Sequence, residues 1–153
     1  LQATEIRVAG ESAQLGIAEV RRGLFPLGGS TVRLQRQIAF TNAADLLLTG
    51  RVVDADEAWR MGLVSRVVPA DDLLATAVAA AAGMARYSAY GLSMTKDVLW
   101  ANLETTSLEA AIHLEDRNQL MLGFTENLPE AMRAFAAGRE PSYTDDPRRD
   151  LFG

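Results

Sequence analysis

The chain has 153 residues, 48% hydrophobic and 23% charged, with a formal net charge of −5 at pH 7. It has no cysteine and a single histidine, His113, which excludes a disulfide framework, a thiol nucleophile, a Cys-ligated metal and a His-based metal cluster within these residues. Basic residues come in pairs, Arg21-Arg22 and Arg148-Arg149, too short for a nucleic-acid patch, and no apolar run approaches the roughly 20 residues of a membrane span.

Residues 3–9 alternate loosely around Ile6 and Val8 and read as a short strand. Residues 13–16 read as a second. Residues 30–38 and 42–48 carry helical spacing, and Gly50 is placed to stop the second helix. Asp54 then reads as an N-cap, with Glu57 three residues on in a box-like arrangement. That helix stops at Gly62, and residues 63–68 form a strand closed by Pro69. From there the character changes. Residues 70–86 form a long alanine-rich helix with Leu74, Val78, Ala81 and Met84 at helical spacing. Residues 89–102 and 107–123 read as two more helices, and Pro129 sits in the first turn of a last one ending near Ala137. The tail from Pro141 is polar and irregular. A division into residues 1–69 and 70–153 follows. The helix over 107–123 is apolar on more than one side, through Leu108, Ala111, Ile112, Leu114, Leu120, Met121 and Leu122, which points to a subunit interface, with burial beneath the N-terminal half of a larger protein as the alternative.

One carboxylate, Glu19, stands between Ala18 and Val20, eight residues before Leu27 in a Pro26-Leu27-Gly28-Gly29-Ser30 turn. An amphipathic segment follows. Backbone amides at a helix start bind an anion, a polarised oxygen or a water. A carboxylate beside such amides can move a proton to or from a bound carbonyl compound, and apolar neighbours would raise its pKa toward that task. The structural alternative is an ion pair of Glu19 with Arg21 or Arg22. Gly28-Gly29-Ser30 is neither a G-x-G-x-x-G nor a P-loop, and reads as a tight turn into a helix that also permits close backbone approach to a ligand. Ser93-Met94-Thr95-Lys96 matches S-x-x-K without the motifs that accompany it in serine enzymes. His113, beside Glu115 and Asp116, reads as a packed or surface residue, and Trp59 and Trp100 as packing residues.

The run Ala9-Gly10-Glu11-Ser12-Ala13-Gln14-Leu15-Gly16 is followed by Glu19-Val20, Gly23-Leu24-Phe25-Pro26, Gly28-Gly29 and Arg33-Leu34. Then come Leu46-Leu47-Leu48-Thr49-Gly50-Arg51, Glu57-Ala58, Gly62-Leu63-Val64 and Val67-Val68-Pro69. Together these resemble the second half of the enoyl-CoA hydratase/isomerase (crotonase) family. Phe135, Arg139, Pro141 and Tyr143 continue the likeness to the C-terminal region.

The resemblance implies an α/β fold: part of a crotonase-like ββα spiral core, followed by a C-terminal helical oligomerisation region that assembles trimers or hexamers. It implies an acyl-CoA thioester as substrate, with CoA carried on the substrate and no metal or other cofactor. The second catalytic carboxylate of the family aligns with Glu19. Substrate contacts are implied at Ala18, Pro26, Leu27 and Gly28, and toward the C-terminus at Phe135 and Arg139. At the position of Leu27 the hydratases usually carry Gly, whose N–H helps hold the catalytic water; Leu27 keeps the N–H and adds a side chain. The Lys common just before Arg139 is Gly138 here. The family's first carboxylate and both oxyanion-hole donors fall before Leu1. The chain, which has no initiator Met, is therefore read as the C-terminal part of a larger protein. The expected activity is reversible hydration of a 2-enoyl-CoA through an enolate, in the cytoplasm. An isomerase or another crotonase-type reaction, or a non-catalytic crotonase-like assembly subunit, is the alternative.

Overall fold

Two short strands distant in sequence pair in parallel: β1 (Val8–Gly10) lies beside β4 (Arg66–Val68), with Ala9 opposite Val67. Between them come β2 (Gln14–Gly16), α1 (Ser30–Gln37), α2 (Phe40–Thr49), β3 (Val52–Asp54) and α3 (Ala55–Arg60). β2 and β3 pair antiparallel, Leu15 opposite Val53. Four helices follow: α4 (Leu73–Met84), α5 (Ala89–Asn102), α6 (Leu108–Gly123) and α7 (Asn127–Ala136). The computed structural model describes residues 1–148. Arg149 of the second arginine pair and the end of the polar tail lie outside the described residues. The chain forms two units, Leu1–Ala79 and Ala80 onward, the division falling within α4.

The first unit is built on apolar residues at helical spacing. Leu34 and Ile38 at the end of α1, Ala43 and Leu46 on α2, and Ala55 and Ala58 on α3 are buried together with Val53, Leu63 and Val64. Both expected caps are present. The Gly50 N–H donates to the Leu46 carbonyl with φ 63°, which ends α2 in the left-handed region. The Asp54 carboxylate accepts from the Glu57 N–H at 2.7 Å and starts α3. The box is only half closed. The Glu57 carboxylate turns to Arg51 at 2.7 Å, and Arg51 also donates to Asp45 of α2 at 2.5 Å. Hydrogen bonding to the guanidinium holds Glu57 below, and pushes Arg51 above, its ordinary pKa.

The strands differ from expectation for local reasons. Residues 3–7 are not a strand, because the Thr4 N–H turns back onto the Leu1 carbonyl at 3.2 Å and Ile6 faces solvent. Arg7 is buried instead. Its guanidinium donates to the Thr4 carbonyl at 2.8 and 3.1 Å, the Leu63 carbonyl at 3.0 Å and Gln37 Oε1 at 2.7 Å. β4 starts only at Arg66, since the Leu63 and Val64 N–H groups both fold onto the Ala58 carbonyl at the end of α3. β3 was not anticipated; three residues are too few to show a period. Residues 70–72 form a 3₁₀ turn ahead of α4 rather than its first turn. Trp59, expected to pack, is 57% exposed.

In the second unit, side chains start the helices. Ser88 Oγ accepts from the Gly91 N–H at 2.8 Å and Ser107 Oγ from the Ala110 N–H at 3.3 Å. Pro129 is the third residue of α7, where no intrahelical donor is lost. The tail is tied down at several places: the Glu126 N–H donates to the Asp146 carbonyl at 2.8 Å and the Arg148 N–H to the Phe124 carbonyl at 2.7 Å, and two carboxylates add side-chain ties. Asp145, at φ 59°, accepts from Ser88 Oγ, from Asn127 Nδ2 at 2.6 Å and from the Tyr90 N–H at 3.2 Å. Glu130 accepts two bonds from Arg139, at 2.6 and 3.1 Å, and one from the Ser142 N–H at 3.0 Å. These bonds hold the Glu130 carboxyl at about 2, down from 4.5, with Arg139 the larger cause. No residue of α4, α5 or α6 is buried. No helix among the described residues is long and apolar enough to cross a membrane.

Replacing Arg7 by Met keeps the apolar stem and strands the buried Leu63 carbonyl, while the Thr4 carbonyl is only part-buried. A loss on the order of 3 kcal/mol is expected in urea unfolding, because hydrogen bonds from a charged donor are removed and the Leu63 acceptor stays dry. Arg7→Lys should recover only part of it, since an ammonium lacks the planar fork. The clamp on Glu130 has a defined acid limit. A carboxyl depressed in the folded state contributes stability that is present above its ordinary pKa and lost as pH falls through the depressed one. The Glu130–Arg139 contact should therefore persist at pH 4 and open only toward pH 2, followed by the Glu130 carboxyl carbon shift in an NMR titration.

Candidate functional site

After β2 ends at Gly16 the chain passes Ile17 and Ala18 and enters a 3₁₀ turn at Val20–Arg22. Glu19 is the residue at its start, and its carbonyl accepts from the Arg22 N–H at 2.9 Å and the Leu24 N–H at 3.0 Å. Gly23, at φ 71°, reverses the chain. This segment rests on the end of α2. A Cβ on Gly50 would lie 2.7 Å from Arg21 Cγ and 3.1 Å from Val20 Cγ2. Gly50 thus meets two demands at once, a left-handed backbone and a bare Cα against which the segment carrying Glu19 packs. The Arg21 stem lies on Gly50. Glu19 pairs with neither Arg21 nor Arg22, so the ion-pair alternative fails. Among the described residues the half-buried Glu19 carboxylate makes no hydrogen bond or salt bridge.

The turn beyond it has an uneven hydrogen-bond balance. Pro26 is buried, while Leu27 is 74% exposed. Gly28 and Gly29 both take positive φ, 74° and 91°. Ser30 Oγ donates to the Leu27 carbonyl at 3.2 Å, and Arg33 Nη1 to the Gly28 carbonyl at 3.3 Å. The Gly29 carbonyl accepts from the N–H groups of Val32 and Arg33 at 3.1 and 2.8 Å. Every carbonyl of residues 27–29 is therefore taken. The N–H groups of Leu27, Gly28, Gly29 and Ser30 have no acceptor among the described residues. A run of unpaired N–H groups on a left-handed turn is a donor array for an oxygen.

Glu19, Gly28, Ser30 and Arg33 line one open concavity of about 460 Å³, over apolar Leu15 and Leu63. Of the residues singled out in the sequence, Glu19 and Gly28 meet there. Ala18, Pro26 and Leu27 do not line it. The added side chain at Leu27 is exposed and is not part of the lining. Phe135, on α7, is 90% exposed. Arg139 holds Glu130 and donates to the Glu140 carbonyl at 3.0 Å, which leaves its charge compensated. Sequence reasoning gave Arg33 and Ser30 no role. Their signal was the spacing from the two glycines, which lets a helix side chain fold back onto the turn. His113 is exposed, and no group of three or more His, Asp or Glu among the described residues is arranged to hold a metal ion.

The chain as a whole is similar to known proteins. The model of the enoyl-CoA hydratase/isomerase family matches residues 2–146. A probable enoyl-CoA hydratase of Mycobacterium tuberculosis is 43% identical over 146 residues, covering 94% of this chain and 51% of that protein. An enoyl-CoA hydratase of the same species is 41% identical over 145 residues, covering 94% of this chain and 53% of that protein. The crystal structure of a probable enoyl-CoA hydratase/isomerase from Mycobacterium abscessus superposes with a TM-score of 0.91 at 37% identity, over 95% of this chain and 56% of that one. That of an enoyl-CoA hydratase from Bacillus anthracis gives 0.91 at 30% identity, again over 95% and 56%. The chain spans about half the length of the curated relatives it matches. The match over 2–146 and the shared crotonase-like fold decide the assignment: the chain belongs to the enoyl-CoA hydratase/isomerase family.

Proposed function

We propose that this chain supplies the proton-transferring carboxylate, Glu19, of a site that adds water reversibly to a 2-enoyl-CoA. The observation that carries the reading is the meeting of an unpaired carboxylate and an unpaired donor turn on one concavity. The N–H groups around Gly28 hold a water, and Glu19 takes a proton from it as its oxygen attacks C3 of the enoyl group. Electron density moves onto the thioester oxygen as an enolate, and a proton returned to C2 completes the addition. Preorganised N–H donors stabilise such an oxyanion without reorganising as charge develops. The resemblance puts those donors, and the partner carboxylate, outside this chain. CoA arrives with the substrate, and no further cofactor is needed for addition of water. The exposure of Leu27 favours hydration over isomerisation, because its side chain leaves the space next to Glu19 open.

Glu19→Gln keeps shape and hydrogen bonding and cannot carry the proton. In the intact protein, turnover of a panel of 2-enoyl-CoA substrates should fall about 10²- to 10⁴-fold, the usual cost of losing general acid–base catalysis. Thermal melts should not move, and KM should change little because the carboxylate acts in the transition state. Full activity in the variant would make Glu19 structural. Double-bond migration without hydration in the wild type would move the reading to an isomerase, and inactivity on every acyl-CoA would favour a non-catalytic assembly subunit.

Assembly into trimers or hexamers belongs to the same reading. Its support is the set of apolar side chains left open on the last helices, Leu108, Leu120 and Met121 of α6 among them. Light scattering at low micromolar concentration should give a trimer or a multiple of it, and Met121→Asp should weaken it by burying an unpaired charge. A clean monomer would defeat the idea.

A further inference from the structure

We infer that Arg33 is a positioning residue for the same site: its guanidinium locks the Gly28–Gly29 turn so that the turn keeps presenting N–H groups to the concavity that Glu19 lines. This rests on the hydration reading above and adds a residue to it.

Three observations converge. First, the guanidinium is seated on the turn. Nη1 donates to the Gly28 carbonyl at 3.3 Å, and Nη1, Cζ and Nε lie 2.8, 3.3 and 3.6 Å from where a Gly29 Cβ would be. A side chain at Gly29 would unseat Arg33, whatever its cost to the backbone. Second, the turn needs a lock. Two consecutive glycines at φ 74° and 91° have no side chain to hold them and rotate more freely than any other pair. Rotation of the Gly28–Gly29 peptide would put a carbonyl where the Gly29 N–H stands and carry the backbone of Gly28, which lines the concavity, with it. Binding the Gly28 carbonyl fixes that peptide by its other end. Third, Arg33 has no other task in view. It has no carboxylate partner among the described residues, and it lines the concavity. Its neighbour Leu34 is wholly buried, so the helix that carries Arg33 is anchored to the core and the guanidinium starts from a fixed base.

A group held about 1 Å out of place costs as much as 10²-fold in rate, while ground-state contacts with the rest of a large substrate survive. The test is Arg33→Met and Arg33→Lys in the intact protein, with kcat and KM for a 2-enoyl-CoA and a thermal melt for each. The expected result for Arg33→Met is a fall in kcat of about 10- to 10²-fold with KM within about twofold of wild type and an unchanged melt. Arg33→Lys, which can still reach the Gly28 carbonyl, should restore part of kcat. An active wild type whose Arg33→Met variant keeps full kcat overturns the inference and leaves the hydration reading standing. A kcat loss that follows a lowered melting temperature equally in both variants also overturns it, since Arg33 would then serve only stability. A wild type that hydrates no enoyl-CoA overturns the hydration reading and this inference with it.

Discussion

A buried arginine with no carboxylate among its hydrogen-bond partners sets the shape of the first unit. Arg7 is satisfied by the carbonyls of Thr4 and Leu63 and by Gln37 Oε1, and Gln37 Nε2 in turn donates to the Gln2 carbonyl at 2.8 Å. Burial pushes its pKa down and nearby Glu5 pushes it up, in that order of size. Neutral oxygens make all of its direct hydrogen bonds, with Glu5 acting only through space, so each must be in place: an unmatched charge in a dry site costs far more than a surface one. The consequence reaches the candidate site. Leu1, Gln2 and Ala3 form a wall of the concavity that holds Glu19, and this wall is fixed by Arg7 and Gln37. The Arg7 backbone accepts from the Ser65 N–H at 2.7 Å, which ties the same residue to the approach of β4.

The two helix ends that frame the site use glycine for different reasons. Gly50 closes α2 in the left-handed region, and a Cβ there would strike Arg21 at 2.7 Å. Nothing lies within 4 Å of a Cβ on Gly28, so only its backbone angle asks for glycine. Gly29 has both constraints, with Arg33 as the neighbour. A glycine that fails only on φ can be replaced at roughly 1–2 kcal/mol, whereas one that also lacks room moves its neighbour. Glu19 and the donor turn each stand one such contact away from a core helix. Their mutual placement is set by Leu34 and Leu46, core residues that also border the concavity.

Capping chemistry made the helices legible. Gly50, Asp54, Gly62 and Pro129 announced their ends because each acts within a turn of its own position. The strands were less legible. Three residues carry no period, and what makes 52–54 or 66–68 extended is a partner up to 58 positions away. Arg7 was invisible for the same reason: its acceptors are in three separate segments, and nothing near it in sequence marks it as buried. Glu19 stood out against Ala18 and Val20, but its weight came from the family pattern and not from spacing. What Leu27 adds at the turn depends on its direction, which no sequence records; its side chain is 74% exposed and is not among the residues that line the concavity.

The second unit poses a different physical problem. Helices of 12 to 16 residues such as α4, α5 and α6 are marginal alone, and proteins hold them by packing an apolar face. Here no residue of the three is buried, and Leu99, Leu108 and Leu120 are each more than half exposed. On α6 the apolar positions 108, 112, 120 and 121 are spread over more than half the helix circumference at 100° per residue, too wide for one neighbour to cover. Fully burying one leucine contributes about 1.5–3 kcal/mol. A handful of such residues therefore matches the whole net stability of a domain, about 5–15 kcal/mol. A surface of that worth is large enough in energetic terms to call for a cover, whether a neighbouring copy or the rest of a longer protein. The serine caps and the Asp145 and Glu130 ties hold the helices in register, and the apolar faces they display are the physical ground for the assembly proposed for this chain.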